Sequence, residues 1–134
     1  MWVDGALRPW ETATISSLAH PMQRGALVFD VLSFHDGARG VSVFRLREHV
    51  ERFLRSLSLI DLVSPYDLAA ISEATCATVR ATGLTDGLIR ISGFVPTIEA
   101  DVVARDPRVS VVIAAYARTD FPKKGLIFTE YFRD

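Results

Sequence analysis

The sequence predicts an α+β domain, a mostly antiparallel sheet with two helices on one face, and three observations point to it. Two stretches with a helical apolar period, about 47–59 and 65–82, are bracketed by short runs of β-branched and aromatic residues. Turn signals separate the runs: Asp4-Gly5, His35-Asp-Gly-Ala-Arg-Gly40 and Leu84-Thr-Asp-Gly87. No repeat or low-complexity segment occurs, and 134 residues suffice for one domain with a real core.

Taken in order, Trp2-Val3 and Ala6-Leu7 flank the first turn as a hairpin. Thr12 to Ile15 reads as a further short strand, and Ser16 to Gly25, with Pro21 as a breaker, as irregular chain. Leu27 to Phe34 is the strongest strand, with Phe29, Val31 and Ser33 on one face and Val28, Asp30, Leu32 and Phe34 on the other. The chain returns through the loop at 35–40 to a strand at Val41–Phe44, which feeds a helix from Arg47 to Leu59. Val50, Phe53, Leu54 and Leu57 form its inward stripe, and Arg52 points nearly opposite. A second helix is expected to open at Ser64-Pro65, with Ser as cap and Pro at the first helical position, and to stop at Gly83. Its stripe is Leu68, Ile71, Thr75 and Val79. Leu88–Val95 is a strand, 96–107 an acid-bearing loop, and Val109–Tyr116 a central strand apolar enough for burial on both faces. Leu126–Phe132 carries a last strand signal.

Composition narrows the function classes. With 49% hydrophobic and 23% charged residues the chain resembles ordinary soluble domains, and a net charge of −1 offers no field to hold a nucleic acid. The arginines at 45, 47, 52 and 55 alternate with Glu48 and Glu51, as on a laced helix face. One cysteine, Cys76, excludes an internal disulfide and reads as a small buried filler. His20, His35 and His49 share no metal-ligand spacing, so no metal is expected. There is no Gly-x-Ser-x-Gly elbow and no phosphate-cradling glycine motif. The opening residues carry no signal-peptide pattern and no apolar run reaches membrane length, so a cytoplasmic protein with no membrane partner is expected.

Two arginines stand out. Arg52 rides a helix anchored by packing at its back, and a guanidinium is a fork-shaped ligand for phosphate; the plainer reading is a solvated helix residue. Arg90 sits mid-strand among Leu88, Ser92 and Phe94, where a guanidinium is costly unless it meets an anion, a wet cleft, or an acid such as Asp30 or Glu99. Phe29, read from the residues alone, is ordinary core.

The succession Trp2-Val-Asp-Gly5, His20-Pro-Met-Gln-Arg-Gly-Ala-Leu-Val-Phe-Asp30, Val43-Phe-Arg-Leu-Arg-Glu-His-Val-Glu-Arg52 and Leu88-Ile-Arg90 resembles the small N-terminal domain of class IV (fold type IV) pyridoxal-phosphate enzymes. These include branched-chain aminotransferases, the nearest in pattern, D-amino-acid aminotransferases and aminodeoxychorismate lyases. The resemblance implies transamination between amino acids and 2-oxo acids with pyridoxal 5′-phosphate, in a homodimer. It gives Arg52 the cofactor phosphate, Phe29 a wall of the substrate pocket and Arg90 a place near the substrate carboxylate. Two departures stand at the pocket. Arg24 replaces an aromatic, a second cation that favours an acidic substrate or acceptor, and Leu88 replaces a tyrosine.

A third departure concerns the catalytic lysine. Lys123 and Lys124 are the only lysines against thirteen arginines, and neither matches the family's Schiff-base lysine. The expected layout is a small domain at 1–118, a linker at 119–125 and the first strand of a second domain at 126–134. This chain alone is then inactive and needs a C-terminal domain or a complementing chain. The competing readings are a lyase-like or D-amino-acid aminotransferase-like member, and a non-catalytic binding or dimerisation module of the same fold. The enzymatic reading expects Arg52 and Arg90 to face a common hollow shaped for a phosphorylated pyridine ring and an acid; side chains turned to separate sides of the molecule would leave a fold assignment alone.

Overall fold

The computed structural model describes residues 1–118; the expected linker and the strand at 126–132 lie outside the described residues. Strands β1 (Trp2–Val3), β2 (Ala6–Leu7), β3 (Leu27–His35), β4 (Ser42–Val43), β5 (Gly87–Phe94) and β6 (Ser110–Tyr116) form one sheet. Its order is β2-β1-β6-β5-β3-β4, and every pairing is antiparallel. Helices α2 (Leu46–Ser58) and α3 (Leu68–Thr82) lie on one face, α2 over β3 and α3 over β6. The short helix α1 (His20–Arg24) leads into β3 and ends on Gly25, which takes a left-handed conformation (φ +71°).

Alternation sets which strand residues the helices cover. Leu32 and Phe34 of β3, Ile89 and Ile91 of β5, and Val111 and Ile113 of β6 meet Val50, Phe53 and Leu57 of α2 and Ile71 and Val79 of α3. Each fully buried side chain of this size contributes about 1.5–3 kcal/mol before entropy is counted. The stripe expected on α2 is the one that packs, with Leu54 only partly covered. At the other end of the sheet, the Asp4-Gly5 turn does more than reverse the chain. The Asp4 carboxylate accepts from Ser110 Oγ (2.6 Å) and Val111 N (2.8 Å), fastening the first hairpin to β6.

Several expectations change. Thr12 to Ile15 is not a strand: Trp10–Thr12 is a turn of 3₁₀ helix, and Thr12 turns its hydroxyl back onto the Pro9 carbonyl. The stretch 16–25, expected to be irregular, contains α1. The second long helix starts at Leu68 rather than at Ser64-Pro65, because Asp67 is the cap: its side chain accepts from Ala70 N at 2.8 Å. Ser64 instead closes a turn on Tyr66. Strand β6 is central, but only one face is buried; Val112 and Ala114 on the other are half-exposed. Cys76 is likewise half-exposed rather than a buried filler. No helix among the described residues is long and apolar enough to cross a membrane.

Gly93 sets how closely α2 approaches the sheet. A Cβ there would lie 2.9 Å from Phe53 Cζ and 3.0 Å from Leu57 Cδ2. Gly93→Ala is expected to lower stability by about 1–3 kcal/mol through overpacking. Gly87→Ala should cost more, since its Cβ would meet the Tyr116 carbonyl oxygen at 2.3 Å, a backbone atom that cannot swing away. Denaturant unfolding of both variants checks this; an unchanged midpoint for Gly93→Ala would contradict the tight seat.

Candidate functional site

The sheet has two unlike faces, and the expected site residues divide between them. On the helix side, Asp30 of β3 lies among the core residues and is 4% exposed. It is registered opposite Ile91, so an acid occupies a position that packing would give to an apolar side chain. Burying an ionised carboxylate is costly unless it is paired and hydrogen-bonded. Helix α2 supplies the pairing. Arg52 Nε donates to Oδ2 at 2.6 Å and Arg52 Nη2 to Oδ1 at 2.7 Å, a side-on bidentate contact. His49 Nδ1 lies 2.7 Å from Oδ1. A carboxylate can only accept, so Nδ1 carries a proton and donates, and the approach of Arg52 Nη2 to the same nitrogen (3.1 Å) is a packing contact between donors.

Arg52 is therefore not the solvated residue that its helical angle suggests, although its side chain remains 63% exposed. It leans sideways from α2 to the sheet, and its outer edge faces solvent. The pairs Arg45–Glu48 (3.5 Å) and Arg47–Glu51 (2.8 Å) provide the expected lacing on the exposed side of the helix. Burial by itself would raise the Asp30 carboxyl. The hydrogen bond from Arg52, then that from His49, and the positive charge beside it together outweigh burial and hold the carboxyl below its ordinary value.

The opposite face is open. Phe29 is not ordinary core: it is 54% exposed, and the Arg90 guanidinium lies over its ring with the central carbon 4.1 Å from the centroid. Neither acid named as a partner for Arg90 takes it. Asp30 is on the other face, and Glu99 accepts from Thr97 Oγ1 and Asp106 N. Among the described residues no acid lies within ion-pair distance of Arg90. Arg90 lines a hollow of about 420 Å³ together with Leu27, Ser92, Phe94, Ile15 and Val112. Arg52 does not line it. Arg52, on α2, lies on the helix-covered side of the sheet and Arg90, on β5, on the open side, so the described residues do not form the expected common hollow and their geometry alone carries a fold assignment. Arg24, at the end of α1, donates from Nη2 to the Ala100 carbonyl (3.0 Å) in the loop after β5 and is not among the residues lining the hollow beside Arg90. Among the described residues no group of His, Cys, Asp and Glu could hold a metal ion.

Sequence reasoning missed Asp30 and His49. The signal was present: Asp30 alternates in phase with Val28, Leu32 and Phe34, and His49 and Arg52 stand three apart on one helix.

The pH dependence of Asp30 follows with a definite sign. A carboxyl with a depressed folded value contributes stability that is present above its unfolded value, about 3.9, and is lost as pH falls through the folded one. Asp30→Asn is expected to cost about 1–3 kcal/mol at pH 7. The stability curves of the wild type and the variant should then converge as the pH is lowered below about 4. Urea midpoints measured from pH 7 to pH 2 check this, and parallel curves would contradict it.

No family model matches the chain. Among curated proteins, the branched-chain-amino-acid aminotransferase of Pseudomonas aeruginosa is 33% identical over 117 residues, 87% of this chain and 38% of that protein. Among solved structures, the branched-chain aminotransferase of Thermoproteus uzoniensis with norvaline superposes with a TM-score of 0.85 at 34% identity, over 91% of this chain and 41% of that one. The branched-chain amino acid aminotransferase of Escherichia coli superposes with a TM-score of 0.84 at 28% identity, over 87% and 39%. A further branched-chain amino acid aminotransferase, complexed with N-(5′-phosphopyridoxyl)-L-glutamate, gives 0.81 at 30% identity, over 87% and 40%. The chain thus spans about two-fifths of the length of the relatives it matches. In sequence and in fold, what the chain matches over this span is the N-terminal part of branched-chain aminotransferases.

Proposed function

We propose that this domain supplies the phosphate-holding and carboxylate-holding walls of a transaminase site that uses pyridoxal 5′-phosphate. The observation that carries the reading is Arg52: one edge of its guanidinium is locked on the buried Asp30 while the other faces outward, as a phosphate clamp requires. The residues suit the group, since a dianionic phosphate needs a fixed fork and Arg52 provides one. Arg90, free of any acid partner among the described residues and stacked on Phe29, is suited to a substrate carboxylate, with Phe29 and the adjoining hollow receiving the side chain. Bound pyridoxal phosphate supplies the electron sink through which an amino group is moved. The relative that holds phosphopyridoxyl-glutamate supports this choice of cofactor and of an amino-acid substrate.

Because the two arginines lie on opposite sides of the sheet, the site is completed around the outer edge of β3, which pairs with β4 only at Phe34 and His35. Further polypeptide, from a C-terminal domain or a complementing chain, closes it and brings the lysine. A homodimer in the cytoplasm is the assembly this reading expects. Amino acids and 2-oxo acids are the substrates, of branched-chain type. Arg24 would add preference for an acidic partner only if it let go of Ala100.

The test is amino transfer from L-leucine to 2-oxoglutarate. The 134-residue chain with added pyridoxal phosphate should show no turnover, and co-expression with the C-terminal part of a relative should restore it. In the restored enzyme Arg52→Ala should weaken the apparent cofactor affinity at least about ten-fold. Turnover by the chain alone would overturn the division of labour, and an unaffected Arg52→Ala would overturn the phosphate assignment.

A further inference from the structure

An arginine that is 63% exposed ordinarily samples many rotamers, and the loss of that freedom on binding an anion subtracts from affinity. Arg52 departs from this because its inner edge is already committed. A guanidinium carries five N–H groups in one plane. The Nε proton and one Nη2 proton go to the two oxygens of Asp30, at 2.6 and 2.7 Å. That leaves both Nη1 protons and the second Nη2 proton along the outer edge. The plane of this fork is set by the carboxylate, which itself cannot rotate. It is 4% exposed, sits on the central part of β3 in register with Ile91 of β5, and takes a third hydrogen bond from His49. Helix α2 fixes the other end of the side chain through Val50, Phe53 and Leu57.

We propose that Asp30, braced by His49, is the positioning residue of the phosphate site, holding the guanidinium of Arg52 side-on so that its outer fork is set before an anion arrives. This rests on the reading of Arg52 as a phosphate ligand and adds how its geometry is imposed. Asp30 touches no phosphate itself. Its negative charge opposes the anion at a distance, and what it returns is orientation. A neutral amide at position 30 would remove that opposing charge, so a purely Coulombic view predicts tighter phosphate binding for Asp30→Asn. The positioning view predicts weaker binding. The two views differ in sign.

The experiment titrates the protein with inorganic phosphate and with pyridoxamine 5′-phosphate, which has no aldehyde to react with Lys123 or Lys124. Binding is followed on the ¹⁵N–¹H resonance of Arg52 Nε and on backbone amides of α2. Wild type should shift and saturate. Asp30→Asn should bind about ten-fold more weakly or worse, the range seen when a group that orients a ligand-holding residue is removed. Arg52→Lys keeps the charge on an exposed side chain and loses the fork, and it should also weaken binding by about ten-fold. In an Arg52→Ala background, Asp30→Asn should cause no further loss, because Asp30 acts only through Arg52.

If Asp30→Asn does not fold, as its amide spectrum will show, Arg52→Lys carries the decision. Wild-type affinity in either folded single variant overturns the positioning role. So does a further loss from Asp30→Asn when Arg52 is already alanine. Absence of any wild-type shift removes the phosphate-site reading itself, and the positioning role with it. Binding lost in Arg52→Ala but kept in Asp30→Asn removes only the positioning role.

Discussion

A carboxylate enclosed beneath a helix has to be neutralised where it lies, and Asp30 places that demand on the helix above it. The demand is met by two side chains on α2, three residues apart, so the rotation of α2 about its axis is fixed to within the reach of those groups. Gly93 fixes the distance at the same time, since Phe53 and Leu57 settle into the space its missing side chain leaves. Hydrophobic packing alone would hold α2 to the sheet while tolerating a small roll. The ion pair removes that tolerance, and with it the uncertainty in where the exposed arginine points.

The same arrangement explains why the two faces of the sheet differ so sharply. The helix-covered face carries the core and one buried acid. The other face leaves Leu27, Phe29 and Val31 substantially exposed beside Arg90. An apolar patch with a cation set in it is poorly served by water and well served by a partner surface or an amphipathic ligand. The outer edge of β3 is also unpaired from Leu27 to Leu32 among the described residues, which is an unusual exposure for the longest strand of a sheet.

Much of the fold was legible in the sequence because alternation and helical period are strong signals when turns bound them. The DG turn, the stripe on α2 and the stop at Gly83 all follow from pattern alone. The failures have specific causes. Ser64-Pro65 carries the chemistry of a helix start, but Asp67 makes a better cap three residues later, and Ser64 is used in a turn. Val109 to Tyr116 is apolar throughout, yet a strand in a one-sided sheet is covered on one face only, and apolarity does not reveal that the second face is open. On β3 residue type and alternation disagree: Phe29 reads as core, whereas Asp30, in phase with Leu32 and Phe34, is the buried residue. Deciding between the faces needs the position of α2, which no local window contains. For the site, the residues that resemblance assigns are present where strand and helix patterns put them. Their separation onto two faces was invisible, because sequence gives the face of each element and not the relation between one element and another.

The most direct measurement is a crystal structure of the protein with N-(5′-phosphopyridoxyl)-L-glutamate, in which cofactor and amino acid are joined in one molecule. The phosphate is expected on the outer fork of Arg52, with the bond to Asp30 retained, and the ligand passing around the β3 edge so that a carboxylate approaches Arg90 above Phe29. A phosphate bound elsewhere, or an Arg52 that abandons Asp30 to reach it, would contradict the central claim.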